Sequence, residues 1–167
     1  KGNFIDRFRD RLMFPIHSLS GRAIGFGGRT LRKDKKEAKY INSPESEVYH
    51  KSQVLYGLYQ GKKEVKKKNL IYLVEGYTDV ISLHQKGVYN VAASSGTSLT
   101  EGHLREVKRY STQICFLFDG DAAGVKASLR AIDLALAEGL DVTALLLPEG
   151  EDPDSFAKAR STKEIQA

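Results

Sequence analysis

The sequence predicts an α/β chain: a parallel sheet flanked by helices, preceded by a small basic α+β part and followed by the start of a helical segment. Three observations predict it. From Leu70 onward, short apolar runs rich in β-formers alternate with helical stretches, the pattern of a parallel sheet covered on both faces. The charge divides between two parts: residues 1–68 carry 17 basic and 7 acidic side chains and residues 69–167 carry 9 and 14, so a formal net charge of +5 conceals +10 and −5. And 167 residues at 41% hydrophobic content are enough to bury about two-thirds of the unfolded surface in a core. A lone Cys115 excludes an internal disulfide framework and a zinc site built on clustered cysteines. No apolar run approaches the ~18 residues of a membrane-spanning helix. No signal-peptide pattern opens the chain, and a chain opening on Lys1 reads as a piece cut from something longer.

The elements follow in order. In the first part, Met13 to Ile16, Ala23 to Phe26 and Thr30-Leu31 read as short strands separated by turns at Ser20-Gly21 and Gly27-Gly28. Val48 to Tyr59 has apolar residues at helical spacing, and Gly61 to Lys68 reads as an exposed, lysine-rich connector. The division is therefore expected at residue 68: a basic subdomain over 1–68, a sheet domain over 69–155, and a helical region beginning at 156–167. After the connector, Leu70 to Val74 is a strand, and a helix runs from about Thr78 to Lys86, ended by Gly87. Asn90 to Ala93 is a second strand, and Thr100 caps a helix carrying Leu104 and Val107 on one face. Ile114 to Phe118 is a third strand. Val125, Leu129, Ile132 and Leu136 mark the inward face of the next helix, and Val142 to Leu147 is the fourth strand.

Three of the four strands end in carboxylates. Glu75 follows the first, with Asp79 four residues on; Asp119 and Asp121 follow the third; Asp152 and Asp154 lie beyond the fourth. Ligands of such sheets bind outside the carboxyl ends of the strands. Carboxylates gathered there repel one another unless cations neutralise them, and hard oxygen donors suit Mg²⁺ or Mn²⁺. Two such ions form the clamp used for in-line displacement at phosphorus. Each motif alone also has an ordinary reading, as a helix N-cap or a turn; their coincidence at adjacent strand ends is what points to metal. Basic surface in the first part attracts polyanions.

Glu75-Gly76-Tyr77-Thr78-Asp79, Phe118-Asp119-Gly120-Asp121 and Glu151-Asp152-Pro153-Asp154 resemble the TOPRIM signature of topoisomerases and primases. Four upstream stretches are similar to blocks special to bacterial DnaG-type primases: Arg7 to Ile16, Gly25 to Arg29, Lys39 to Glu45, and Leu55 to Leu58. The chain thus resembles the catalytic core, or RNA-polymerase domain, of that family from Phe8 to Phe156. The resemblance implies a cytoplasmic enzyme of the replication fork, joining ribonucleoside triphosphates into RNA primers on single-stranded DNA with two or more Mg²⁺ or Mn²⁺ ions. It implies catalytic roles for Glu75, Asp119 and Asp121, with Glu75 as base on the attacking hydroxyl, and metal contacts from those three with Asp79, Asp152 and Asp154. It implies that Arg9, Arg11, Arg29, Lys39, Tyr40, Asn42 and Lys51 line a groove for nucleotide or template. The family's zinc-binding domain, and the further domain that meets the replicative helicase, are not in this chain; no membrane partner is expected. His17 stands where many relatives place Arg. A TOPRIM nuclease, a topoisomerase fragment, a phospho-receiver and a plain nucleic-acid-binding module are the competing readings; a receiver lacks its late strand-end lysine at Leu147-Pro148-Glu149.

Overall fold

A computed structural model of the chain describes residues 5–32, 37–119 and 122–166, with the backbone alone for 122–128 and 166. The second part is a four-stranded parallel sheet of β4 (Leu70–Val74), β5 (Val91–Ala93), β6 (Gln113–Phe118) and β7 (Asp141–Leu146), in the order β5-β4-β6-β7. Alternation along each strand feeds two cores. Ile71, Leu73, Ile114, Phe116 and Phe118 face α1 (Leu58–Lys68), α3 (Glu101–Lys108) and α4 (Ala122–Ala137). Val74, Val91 and Ala93 face α2 (Tyr77–Gln85), α5 (Pro153–Ala159) and α6 (Thr162–Gln166). Residues of β4 and β6 are apolar on both sides because both sides are covered. Cys115 is a buried core residue, as its place in an apolar run predicts.

The first part is an antiparallel sheet of β1 (Arg11–His17), β2 (Ala23–Thr30) and β3 (Tyr40–Asn42), in sequence order. Four sequence expectations need correction. Gly27-Gly28 is not a turn: β2 runs straight through it, with Gly27 opposite Phe14 and Gly28 opposite Met13. The glycines are there for closeness, since a Cβ on Gly27 would run into the ring of Tyr77 and one on Gly28 into Phe8. Of the helix expected over Val48 to Tyr59, only a short turn at Lys51–Gln53 and the first two residues of α1 are helical. The connector expected at Gly61 to Lys68 is itself helical and belongs to α1. Its lysines mask a narrow inward stripe of Leu58, Gly61 and Val65, at i, i+3 and i+7, and Gly61 packs so closely that a Cβ would meet the carbonyl of Tyr89. Finally, α4 turns Ala131 and Ala135 inward, while Leu129 and Leu136 are 62% and 55% exposed. Small residues let the helix approach the sheet; the leucine spacing predicted the opposite face, and Val125 lies outside the described side chains.

The two parts meet at a third core of Phe14, Ile16, Tyr49 and Tyr77. Tyr77, the first residue of α2, stacks on Phe14 with ring centroids 4.7 Å apart and meets Tyr56 edge-on at 4.7 Å. Backbone hydrogen bonds between Tyr56 and Ala93, both 2.9 Å, tie the incoming chain to the edge of β5.

Candidate active site at the carboxyl ends of the parallel strands

From β4 the chain crosses to β5 on one side and then to β6 on the other. The strand order reverses between β4 and β6, and a crevice opens there by topology. It encloses about 690 Å³, with Leu73, Phe116 and Phe118 as its floor and Glu75, Ser94, Thr97, Ser98 and Arg130 among the polar groups lining it. Glu75 follows β4 directly, and its carbonyl accepts the Ser95 N–H at 2.9 Å. Ser95 holds φ at +53°, a left-handed backbone that side-chain-bearing residues adopt mainly at special sites. Asp119 follows β6 at the same end of the sheet. Asp121, which the sequence reading pairs with it, lies outside the described residues.

On the α2–α5 side stand the remaining carboxylates. Asp79, in the first turn of α2 and 8% exposed, accepts the Gly76 N–H at 2.8 Å. Burial pushes its pKa up to about 6; the Gly76 hydrogen bond opposes this, while the charges of Asp152, Asp119 and Asp154 add to it. Four acidic residues from three loops therefore share one electrostatic neighbourhood. Asp152 is the N-cap of α5 and accepts the Ser155 N–H at 2.7 Å. Asp154 accepts from the Ser82 hydroxyl and, at 2.7 Å, from Lys158. Burial acts to raise Asp154, but these bonds and the charges of Lys158 and Arg29 hold it below the usual range. Among the described residues no three His, Cys, Asp or Glu close around one point; the carboxylates are spread along the strand ends rather than converging on a single position, and of the described ones Glu75 alone lines the crevice. Their mutual repulsion, with hard oxygen donors throughout, fits a divalent cation better than any other occupant.

The basic residues differ in their surroundings. Arg29, on β2, lies 5.8 Å from the Tyr40 ring centroid, and the Lys39 ammonium lies 5.9 Å from it. Arg29 is near enough to Asp154 to lower its pKa, so the basic sheet borders the acidic rim. Arg9 is solvent-exposed beside Asp10, and Lys51 is half-buried with its own N–H bonded to Glu45 at 3.0 Å. Arg11 is different. Its side chain is 5% exposed and its guanidinium donates to the carbonyls of Gly28 and Ala38 and to Glu37, which makes it a brace of the antiparallel sheet. Asn42 is also committed: it accepts from the Tyr77 hydroxyl at 2.7 Å and donates to the Ser95 carbonyl at 2.8 Å.

Those bonds identify a residue that the sequence reading leaves unassigned. Tyr77 follows the Glu75-Gly76 turn, and its ring fills the space left by Gly27 while its hydroxyl holds Asn42. Asn42 in turn holds the loop that carries Ser95. Tyr77 thus packs the basic sheet against the turn that carries Glu75 and Asp79, and the signal in the sequence was Gly27, which lies against its ring. Replacing Gly27 by Ala forces the ring to move and is expected to cost about 1–3 kcal/mol, read as a lowered denaturation midpoint at unchanged m-value; an unshifted midpoint would show that the ring is not confined.

A family model described as Toprim-like matches residues 72–157, and one described as the N-terminal domain of the DNA primase catalytic core matches residues 1–62. The chain belongs to the Toprim-like family, in its DnaG-type primase branch. Among relatives, the DNA primase of Pseudomonas putida is 48% identical over 169 residues, covering 99% of this chain and 25% of that protein. The structure is similar to that of the Aquifex aeolicus primase zinc-binding and RNA polymerase domains, with a TM-score of 0.94 at 43% identity, covering 99% of this chain and 41% of that one. It is also similar to a DnaG primase catalytic domain bound to ssDNA, with a TM-score of 0.86 at 41% identity, covering 96% and 52%. The chain spans about a quarter of the length of the curated relatives it matches.

Proposed function

We propose that this chain is the catalytic part of a DNA primase, which joins ribonucleoside triphosphates into short RNA primers on a single-stranded DNA template by nucleotidyl transfer with Mg²⁺ or Mn²⁺. The observation that carries the reading is the meeting of an acidic rim (Glu75, Asp79, Asp119, Asp152, Asp154) with a basic sheet that presents Arg29 and Lys39. Phosphoryl transfer needs both: positions for cations and positive contacts for the phosphates. A relative solved with ssDNA supports the choice of template.

In this reading Glu75 accepts the proton of the attacking 3′-hydroxyl, a role within reach of a carboxylate at the mouth of the crevice. Asp119, with Asp79, Asp152 and Asp154 in the same electrostatic neighbourhood, would hold the divalent ions, and the resemblance adds Asp121 to them. Ions held there would supply Lewis-acid neutralisation of the triphosphate and of the charge that develops at the α-phosphorus. Arg29 and Lys39 position phosphates, and Tyr40, flanked by both, presents a ring for a base. Arg9 and Lys51 extend the positive surface. Arg11 and Asn42 act one step back, by holding the sheet and the junction in shape. A replicative helicase, met through a domain outside this chain, is the partner the resemblance adds.

The test is incubation with a single-stranded template, labelled ribonucleotides and Mn²⁺. Short RNA products that require the template are expected; degradation of the DNA with no RNA made would contradict the reading and favour a nuclease. A second expectation concerns the sheet. Arg29→Ala and Lys39→Ala should each weaken nucleotide or single-stranded DNA binding about tenfold, a loss typical of one charge-assisted contact, while Mn²⁺ binding is retained. Unchanged binding by both variants would remove the sheet from the site.

A further inference from the structure

The first turn of α3 wraps around the carbonyl side of the Lys51–Gln53 turn. Thr100, its N-cap, donates from Oγ1 to the Ser52 carbonyl at 2.5 Å. Gly102 lies so close that a Cβ there would stand 2.5 Å from the same oxygen. His103, the third helical residue and fully buried, does two things at once. Its Nδ1 accepts the Thr100 N–H at 3.3 Å, and its Nε2 lies 2.6 Å from the Lys51 carbonyl. A carbonyl can only accept, so the ring is the neutral tautomer with its proton on Nε2.

That arrangement departs from an ordinary capping box. The usual occupant of the third position is Glu or Gln, reaching back to the N-cap N–H. A carboxylate here would complete the box but set its second oxygen against the Lys51 carbonyl. Histidine supplies an acceptor on one side and a donor on the other, and burial lowers its pKa so that it stays neutral. The Lys51 segment is thereby held at both ends: its N–H donates to Glu45 and its C=O accepts from His103. The lysine sits 52 residues from the histidine that holds it, so the bond also ties the first part of the chain to the parallel-sheet part.

We propose that His103 is a positioning residue for Lys51, fixing the peptide from which the ammonium reaches a phosphate of the template backbone or of a nucleoside triphosphate. The proposal rests on the basic-groove reading above and extends it to a residue that touches neither ligand.

Four variants test it: Lys51→Ala, His103→Leu, His103→Gln and the Lys51→Ala/His103→Leu double variant. Each is titrated in two arms, with a labelled single-stranded DNA oligomer over a salt series and with ATP in the presence of Mn²⁺. The arm that Lys51→Ala weakens identifies the phosphate source, with a loss of about tenfold. In the DNA arm the slope of log K against log salt should also fall by about 0.7, one phosphate contact on a single strand. His103→Leu, similar in bulk but without either nitrogen, should reproduce most of that loss. His103→Gln, which keeps a donor and an acceptor, should bind close to wild type. The double variant should be no weaker than Lys51→Ala alone. Wild-type binding by His103→Leu beside a weakened Lys51→Ala overturns the proposal while leaving the groove intact, as does a double variant whose losses multiply. Normal binding by Lys51→Ala in both arms overturns the groove assignment of that lysine and the proposal with it. His103→Gln guards against a folding artefact: if it fails as badly as His103→Leu although its melting temperature is wild-type, positioning through these two bonds is wrong.

Discussion

Glu75→Gln is expected to reduce primer synthesis by about 10²–10⁴-fold, the range for loss of a general base, with the fold preserved. The substitution keeps the shape of the side chain and leaves the backbone bond from Ser95 in place. It removes the one property that the proposed role requires, a carboxylate able to take a proton at the reversal point between β4 and β6. The measurement is RNA synthesis on a single-stranded template beside a thermal melt and a nucleotide-binding titration. Near-normal synthesis would refute the assignment; loss of synthesis together with loss of folding would leave Glu75 a structural residue. The expected signature is unchanged melting, retained nucleotide binding and almost no product.

The second large effect is on stability, and it has a sign. Asp79 has an ordinary pKa of 3.8, raised in the folded chain to about 6 by burial and by its acidic neighbours. Below 3.8 it is protonated whether the chain is folded or not, and it costs nothing. As pH rises toward 6 the unfolded chain releases a proton that the folded chain keeps, so stability falls; above about 6 the loss is complete. A difference of this size corresponds to at most ~3 kcal/mol. The metal-free protein should therefore be less stable at pH 8 than at pH 5 by a part of that amount traceable to Asp79. Asp79→Asn, which can still accept the Gly76 N–H through its carbonyl oxygen, should flatten the dependence and raise the melting temperature at pH 8. Mn²⁺ should do the same to the unaltered chain and little to the variant. A variant whose stability falls between pH 5 and pH 8 as steeply as the parent's would show that the buried carboxylate is not the cause.

Much of the parallel half was legible in the sequence, and the reason is physical. Leu70 to Val74 and Ile114 to Phe118 are apolar on both sides because both sides are buried, and Thr100 announces its helix by capping it. The strand-end acids followed from topology once four parallel strands were recognised. What the sequence concealed was close packing. Gly27-Gly28 has the composition of a turn, but Gly27 admits the Tyr77 ring, a partner 50 residues away that no local pattern shows, and Gly28 admits Phe8. The lysines of α1 hid a helix whose buried stripe is only three residues wide, one of them glycine. On α4, leucine spacing suggested an inward face, whereas alanines face the sheet. In the site, residue type did not show which polar groups bond within the chain: Arg11 and Asn42 both do. His103, which belongs to none of the motifs in the sequence, joins two parts of the chain.

The central claim is that the carboxylates at the strand ends act together in binding divalent cations. Mn²⁺ titration by electron paramagnetic resonance, on the parent chain and on Asp119→Asn and Asp154→Asn, tests it most directly. The account predicts bound Mn²⁺ in the parent at pH 8, competition by Mg²⁺, weakened binding in each variant although one residue follows β6 and the other lies in α5, and partial displacement as pH falls through 6. Parent protein that binds no Mn²⁺, or variants that bind it as the parent does, would contradict it.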